Sequence, residues 1–206
     1  SPSVNAHGNL VACTIGSITL PNLWGEREYC GIINLEKGIF EVFEIETYGG
    51  KVMFAPQSEQ ILLNSWELKG GSLYFIKLDG EIIAHMVGAY PSFCPSGDKV
   101  AFIKENVVNV AVYDGKTWEL TDYWSQPEEG VGSGYNAPVW MDDRTMVYQS
   151  GNTLYRFELE KNNAKKLMQI PEMTIRRSNF LAGPYEGGIL AVTASETGES
   201  VQLIKL

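Results

Sequence analysis

The chain has 206 residues, of which 44% are hydrophobic and 20% charged, and its formal net charge is −9. This balance fits one sizeable folded core and excludes a disordered chain. The acidic charge works against binding a phosphate backbone or an anionic membrane surface, and no apolar run approaches the ~18 residues a membrane span needs.

The first element group, PSVNAHGNLVACT (Pro2–Thr14), reads as a short inner strand, a turn at His7-Gly8 and a second strand. Its hairpin partner spans Tyr29–Phe43 and turns at Glu36-Lys37-Gly38. A second copy opens with VMFAPQSEQILLN (Val52–Asn64) and continues through Leu73–Val87, turning at Asp79-Gly80. The third copy, Tyr90–Thr121, is the clearest. It has a strand over Pro91–Cys94, a turn at Pro95-Ser96-Gly97-Asp98 and a strand over Lys99–Ile103. A β-branched strand over Val107–Tyr113 follows, then an Asp114-Gly115 turn and a last strand over Thr117–Leu120. A fourth copy covers Pro138–Tyr148 and Leu154–Met168, where Asn162-Asn163 makes a hairpin tip of the one helix-like stretch, Leu159–Leu167. A fifth begins at Asn179–Ala194 and stops after VQLIKL, Val201–Leu206.

A turn, strand and hairpin recurring every ~40–50 residues is the spacing of a four-stranded propeller blade. The expected fold is therefore an all-β propeller of about five blades in a single domain over residues 1–206. A β-sandwich or jelly roll also gives alternating strands, but not this repeating unit. The last blade is expected to have three strands, with Val201–Leu206 as an outer edge able to pair with another strand. The chain has no initiating Met, and the expectation is that it is a processed or truncated piece of a longer protein.

The run FCPSGDKVAF, followed by VAVYDGKTWELT, resembles the TolB-like propeller repeat. It is also similar to the propeller repeats of dipeptidyl-peptidase-type and tricorn-type proteases. The family pattern is approximately F-S-P-D-G-K-x-I-A-F, then I-Y-x-x-D, then Leu-Thr. The third copy matches it well, and the other four lack its Pro-Asp-Gly centre. The resemblance implies the propeller fold and, for compartment, an extracytoplasmic or periplasmic place over a cytoplasmic one. It implies no single activity, because the motif is a structural turn.

Alternating strands place the turns between strands one and two, and between three and four, on one face. The long connections fall on the other: Ser17–Arg27, Trp66–Gly71, Asp122–Asn136 and Pro171–Ser178. These carry the candidate binding residues Trp24, Glu26, Arg27, Trp66, Tyr123, Trp124, Glu128, Glu129, Tyr135, Arg176 and Arg177. Trp, Tyr and Arg dominate protein interfaces, and loops on a rigid scaffold present them. The plainer use of the same aromatics is to pack loops onto the blades.

Chemistry is hard to assemble from the remainder. The two histidines, His7 and His85, lie in different copies, and no GxSxG elbow is present. The inner strands (Ser3-Val4, Val52–Phe54, Ser92-Phe93, Val139-Trp140, Asn179-Phe180) carry no carboxylate of the kind a propeller glycosidase aims at its sugar. Three cysteines, Cys13, Cys30 and Cys94, write neither a disulfide framework nor a metal site, although Cys13 and Cys30 on adjacent strands allow one bridge. The expectation is a non-catalytic scaffold that binds another protein through the long-loop face, in an assembly or an inhibitor/immunity-type role, with no cofactor, metal or nucleic acid. The alternative is a carbohydrate-binding or glycoside-hydrolase-like propeller using the same aromatics.

Overall fold

The computed structural model is built of strands that each pair with their neighbours in sequence. It describes residues 2–16, 27–48, 50–67, 70–105, 107–125, 137–151, 153–169, 180–185, 188–195 and 198–205. For some strand residues, including nearly all of the final sheet, only the backbone is described.

Five antiparallel meanders follow one another among the described residues. The first sheet is β1 (Ser3–Val4), β2 (Leu10–Gly16), β3 (Arg27–Asn34) and β4 (Ile39–Tyr48). The second is β5 (Lys51–Phe54), β6 (Gln60–Glu67), β7 (Gly70–Lys77) and β8 (Ile82–Val87). The third is β9 (Ala89–Phe93), β10 (Lys99–Lys104), β11 (Val107–Tyr113) and β12 (Trp118–Ser125). The fourth is β13 (Val139–Trp140), β14 (Thr145–Ser150), β15 (Thr153–Glu158) and β16 (Asn163–Gln169). The fifth has three strands: β17 (Phe180–Tyr185), β18 (Gly188–Ser195) and β19 (Gly198–Lys205). The four-stranded antiparallel sheets match the all-β repeat expected from the sequence. The Leu159–Lys161 stretch forms one 3-10 turn at the β15–β16 tip, closed by Asn162 in the left-handed region at φ 45°.

Side-chain carboxylates and amides set the turns. Asn34, Asp79 and Asp114 each accept backbone N–H bonds from residues two or three ahead, fixing the β3–β4, β7–β8 and β11–β12 turns. Asp142 does the same for the amides of Arg144 and Thr145 before β14. These bonds offer the backbone a tight reversal in place of a continued ladder, which is why Asx residues mark strand ends.

Two compact units divide the chain. The first comprises residues 1–89, 96–98 and 113–119. Its core lies between the first two sheets. Ala12, Cys30, Ile32, Phe43 and Ile45 pack against Val52, Phe54, Ile61, Leu63 and Ile76. Each large side chain buried this way contributes about 1.5–3 kcal/mol, so Leu63→Ala removes about 2–5 kcal/mol. The second unit comprises residues 90–95, 99–112 and 120–206. Its core joins Cys94, Ala101, Val108 and Val110 to Trp140, Met146, Tyr148 and Phe157. The Trp140 indole N–H donates to the Ser92 carbonyl at 2.9 Å, and the Ser92 hydroxyl donates to the Pro138 carbonyl. In the same unit Ile204 of β19 packs on Val139, Val147 and Leu154.

The three cysteines are free thiols. In the β2–β3 ladder Cys13 sits opposite Gly31, while Cys30 sits opposite Thr14. Successive side chains alternate faces, so the two sulfurs lie on opposite sides of the first sheet. This removes the bridge left open by the sequence.

Candidate functional site

Seven of the candidate binding residues, Trp24, Glu26, Glu128, Glu129, Tyr135, Arg176 and Arg177, lie outside the described residues. The other four are strand residues rather than loop residues. Arg27 opens β3 opposite Tyr48. Trp66 sits in β6 opposite Gly71, because the β6–β7 ladder runs on to Glu67 and Gly70. Tyr123 and Trp124 prolong β12 to Ser125. Aromatic residues favour a pleated surface, and here they extend the ladders past the ends expected from the sequence. These four backbones fall on three different sheets.

The described structure offers a different surface, at the short-turn end of the first two sheets. A groove of about 410 Å³ runs between the β1–β2 turn and the β5–β6 turn. Its apolar floor is Leu10, Phe54 and Leu78. Asn5, His7 and Asn9 line it on one side, and Gln57, Ser58 and Glu59 on the other. A neighbouring recess of about 190 Å³ shares Leu10 and Leu78 and adds Ile32, Ile39, Asn34 and Glu41. Together they form a furrow with a hydrophobic base and a polar rim.

Local hydrogen bonds hold the rim in place. The Asn5 side-chain oxygen accepts from the amides of Asn9 and Leu10 at 3.1 and 3.0 Å. Its Nδ2 donates to Asn9 Oδ1 at 2.9 Å, and Asn9 Nδ2 in turn donates to the Glu36 carboxylate. Across the groove, Gln57 takes φ 58°, a left-handed conformation uncommon for a residue with a side chain. The Ser58 hydroxyl oxygen is buried with no hydrogen-bond partner.

Ser58 and His7 share the groove, but Ser58 lacks the hydrogen bond that would activate it as a nucleophile. The described lining includes two carboxylates, Glu41 and Glu59, and neither Lys nor Arg. His85 lies on β8, the outer strand of the second sheet, where it stacks on Tyr74 at 4.5 Å.

Sequence reasoning missed this groove because it sought function in long connections. One signal was available. The second copy replaces the glycine-centred turn with Gln57-Ser58-Glu59, functional side chains where a bare turn needs none.

No protein-family model matches the chain, and no curated protein matches it in sequence. Solved structures do match in shape. An oligogalacturonate lyase in complex with manganese superposes with a TM-score of 0.74 at 12% identity, over 100% of this chain and 64% of that one. The β-propeller domain of the trilobed protease from Pyrococcus furiosus, described as having an open velcro topology, gives 0.63 at 11%, over 100% and 66%. TolB from Acinetobacter baumannii gives 0.54 at 12%, over 82% and 43%. The chain thus spans less than two thirds of the length of the lyase and of TolB. The fold is that of the TolB-like β-propellers, as the repeat resemblance implied, and identities this low carry the likeness no further than fold.

Proposed function

We propose that residues 1–206 form one propeller domain of five blades that serves as a non-catalytic binding scaffold for another protein. In this reading an extended segment of the partner lies in the furrow between the first two sheets. The observation that carries it is the pairing of an apolar floor with a polar rim, one side of which, Asn5 and Asn9, is held by its own hydrogen bonds. A rigid rim spares the ordering cost that weakens association. The floor takes an apolar side chain, and the Asn, Gln and Ser groups match a peptide backbone. Glu41 and Glu59 favour a segment carrying Lys or Arg. The long connections with Trp24, Glu26, Glu128, Glu129, Tyr135, Arg176 and Arg177 are proposed as a second contact region, and β19 as a further edge for strand pairing.

The lyase likeness favours a second reading, a carbohydrate site. The groove chemistry opposes it for an anionic sugar, since two carboxylates line the furrow in a chain of charge −9.

Selection of a displayed peptide library against the whole protein tests the proposal. Enrichment of sequences with one large apolar residue beside Lys or Arg is expected. Glu59→Lys, a change at an exposed position, is expected to weaken those peptides about tenfold, or ~1.4 kcal/mol. Failure to enrich, or equal binding by Glu59→Lys, overturns the groove reading. A rise in melting temperature with oligogalacturonate would favour the carbohydrate reading instead.

A further inference from the structure

The furrow has two compartments of different chemistry. Leu10 and Leu78 stand in both, so they divide the groove from the neighbouring recess. The recess lies on the face of the first sheet that packs on the second. There the register aligns Leu10, Asn34 and Ile39 in one row, and Ala12, Ile32 and Glu41 in the next. Side chains two apart on a strand share a face, so Ile39 and Glu41 stand side by side on β4. Ile32 is buried, Ile39 is 47% exposed and Glu41 is exposed. The recess is thus apolar at its base and carries a carboxylate at its mouth. Among the described residues no side chain pairs with the Glu41 carboxylate, whereas Glu28, Glu36 and Glu81 engage Gly50, Asn9 and Lys77.

We infer that the recess is a lysine subsite, an inference that rests on the peptide reading of the furrow. One lysine of the bound segment lays its stem on Leu10, Ile32, Ile39 and Leu78 and brings its ammonium to Glu41. Size, walls and head group each select this residue. A cavity of ~150 Å³ holds a benzene ring, so the recess, at about 190 Å³, admits one long side chain. Lysine packs an apolar stem along hydrophobic surface while its charge stays in water, which matches four aliphatic walls below an exposed carboxylate. Arginine is less suited. Its planar fork gains from paired acceptors or an aromatic face. The described lining holds no aromatic residue, and Asn34 Oδ1 already accepts the amides of Glu36 and Lys37. A neutral side chain of the same length keeps the wall contacts and leaves Glu41 unpaired. Acetylation of the lysine removes its charge, so the subsite distinguishes a modified segment from an unmodified one.

Titration of the intact protein with blocked single amino acids, followed through its amide NMR shifts, tests the subsite without any peptide. Nα-acetyl-lysine amide is expected to move the amides of Ile32, Ile39 and Glu41 and to saturate at ~1–10 mM. The norleucine analogue keeps the stem without the charge, and the arginine analogue keeps the charge on a different head. Both, and the Nε-acetylated lysine, are expected to bind about fivefold more weakly. Glu41→Gln, at an exposed position, should keep the melting temperature and abolish the lysine preference, whereas Glu59→Gln should retain it. Ile39→Ala, which shortens one wall, should weaken lysine and norleucine alike. Lysine bound no better than norleucine, or a preference that survives Glu41→Gln, overturns the inference. So does the absence of saturable shifts up to ~50 mM lysine amide. The two readings fail separately. Selected peptides whose affinity ignores lysine keep the furrow and remove the subsite, while lysine amide bound at the recess with no peptide selected does the reverse.

Discussion

The indole N–H of Trp118 donates to the side-chain oxygen of Gln60 at 2.8 Å, and both residues are buried. Trp118 opens β12 and Gln60 opens β6, so one bond joins the start of β12 to the start of the second strand of the second sheet. The indole also stacks on Phe75 at 4.5 Å. Replacing Trp118 with Phe keeps an aromatic ring but leaves the Gln60 carbonyl without this donor. The expected cost is about 1–3 kcal/mol in urea unfolding. Adding Gln60→Leu should restore part of it, and a double-mutant cycle with purely additive losses would show that the bond contributes nothing.

Gly97 should resist any side chain. It has φ +79°, and a Cβ there would stand 2.0 Å from the Pro56 carbonyl oxygen. Gly115 has a similar φ of +94° with nothing within 4 Å. Gly115→Ala is therefore expected to cost only the left-handed penalty of about 1–2 kcal/mol. Gly97→Ala should cost clearly more, because backbone must move. Equal shifts in the urea midpoints would contradict the close approach.

Asp114 links folding to acid. Backbone N–H bonds from Thr117 and Lys116 hold its carboxyl below the usual carboxylate value. Its folded pKa is lower than its unfolded one, so its contribution is complete above the ordinary carboxylate range near ~3.9 and fades as pH falls through the depressed value. Asp114→Ala should lower the melting temperature at neutral pH and flatten the acid limb of the stability profile. A mutant whose acid limb overlays the wild type would remove Asp114 from this role.

The thiols should react in order of burial. Burial foremost, with Cys13 nearby, pushes the Cys30 thiol up to about 12, and burial also raises Cys13. Cys30 and Cys94 are fully buried, whereas Cys13 is half-buried. A disulfide reagent near pH 8 is expected to label Cys13 slowly in the native protein and all three thiols in denaturant. Rapid native labelling of Cys30 would show that the first sheet opens.

β19 pairs on one side only among the described residues. Amides of residues 198–205 directed at β18 should exchange slowly, and those directed away should exchange fast. Uniform protection throughout the strand in a proven monomer would reveal a partner for that edge.

The fold was legible because its determinants are local. Gly8, Asp79-Gly80, Asp114-Gly115 and the Pro95–Asp98 turn each mark a reversal, and apolar alternation between them sets strand and face. Strand ends were less legible. Arg27, Trp66, Tyr123 and Trp124 read as loop residues, yet ladder bonds with Tyr48 and Gly71 hold Arg27 and Trp66, and β12 runs on through Tyr123 and Trp124. Such pairing depends on the facing strand, which single-sequence patterns do not contain. The groove was hidden for a related reason. Leu10, Phe54 and Leu78 are ordinary strand and turn residues until two sheets are laid together, and only then do they become a floor.

Among the described residues each sheet is woven from one contiguous stretch of chain, the first from residues 3–48. Strand pairing therefore closes only short loops, which favours fast formation. During synthesis a sheet can assemble once its own segment has left the ribosome, then offer Ile61, Leu63 or a similar row to its predecessor. The nascent protein would thus mature in modules from its amino end, with unpaired strands waiting only for their immediate successors.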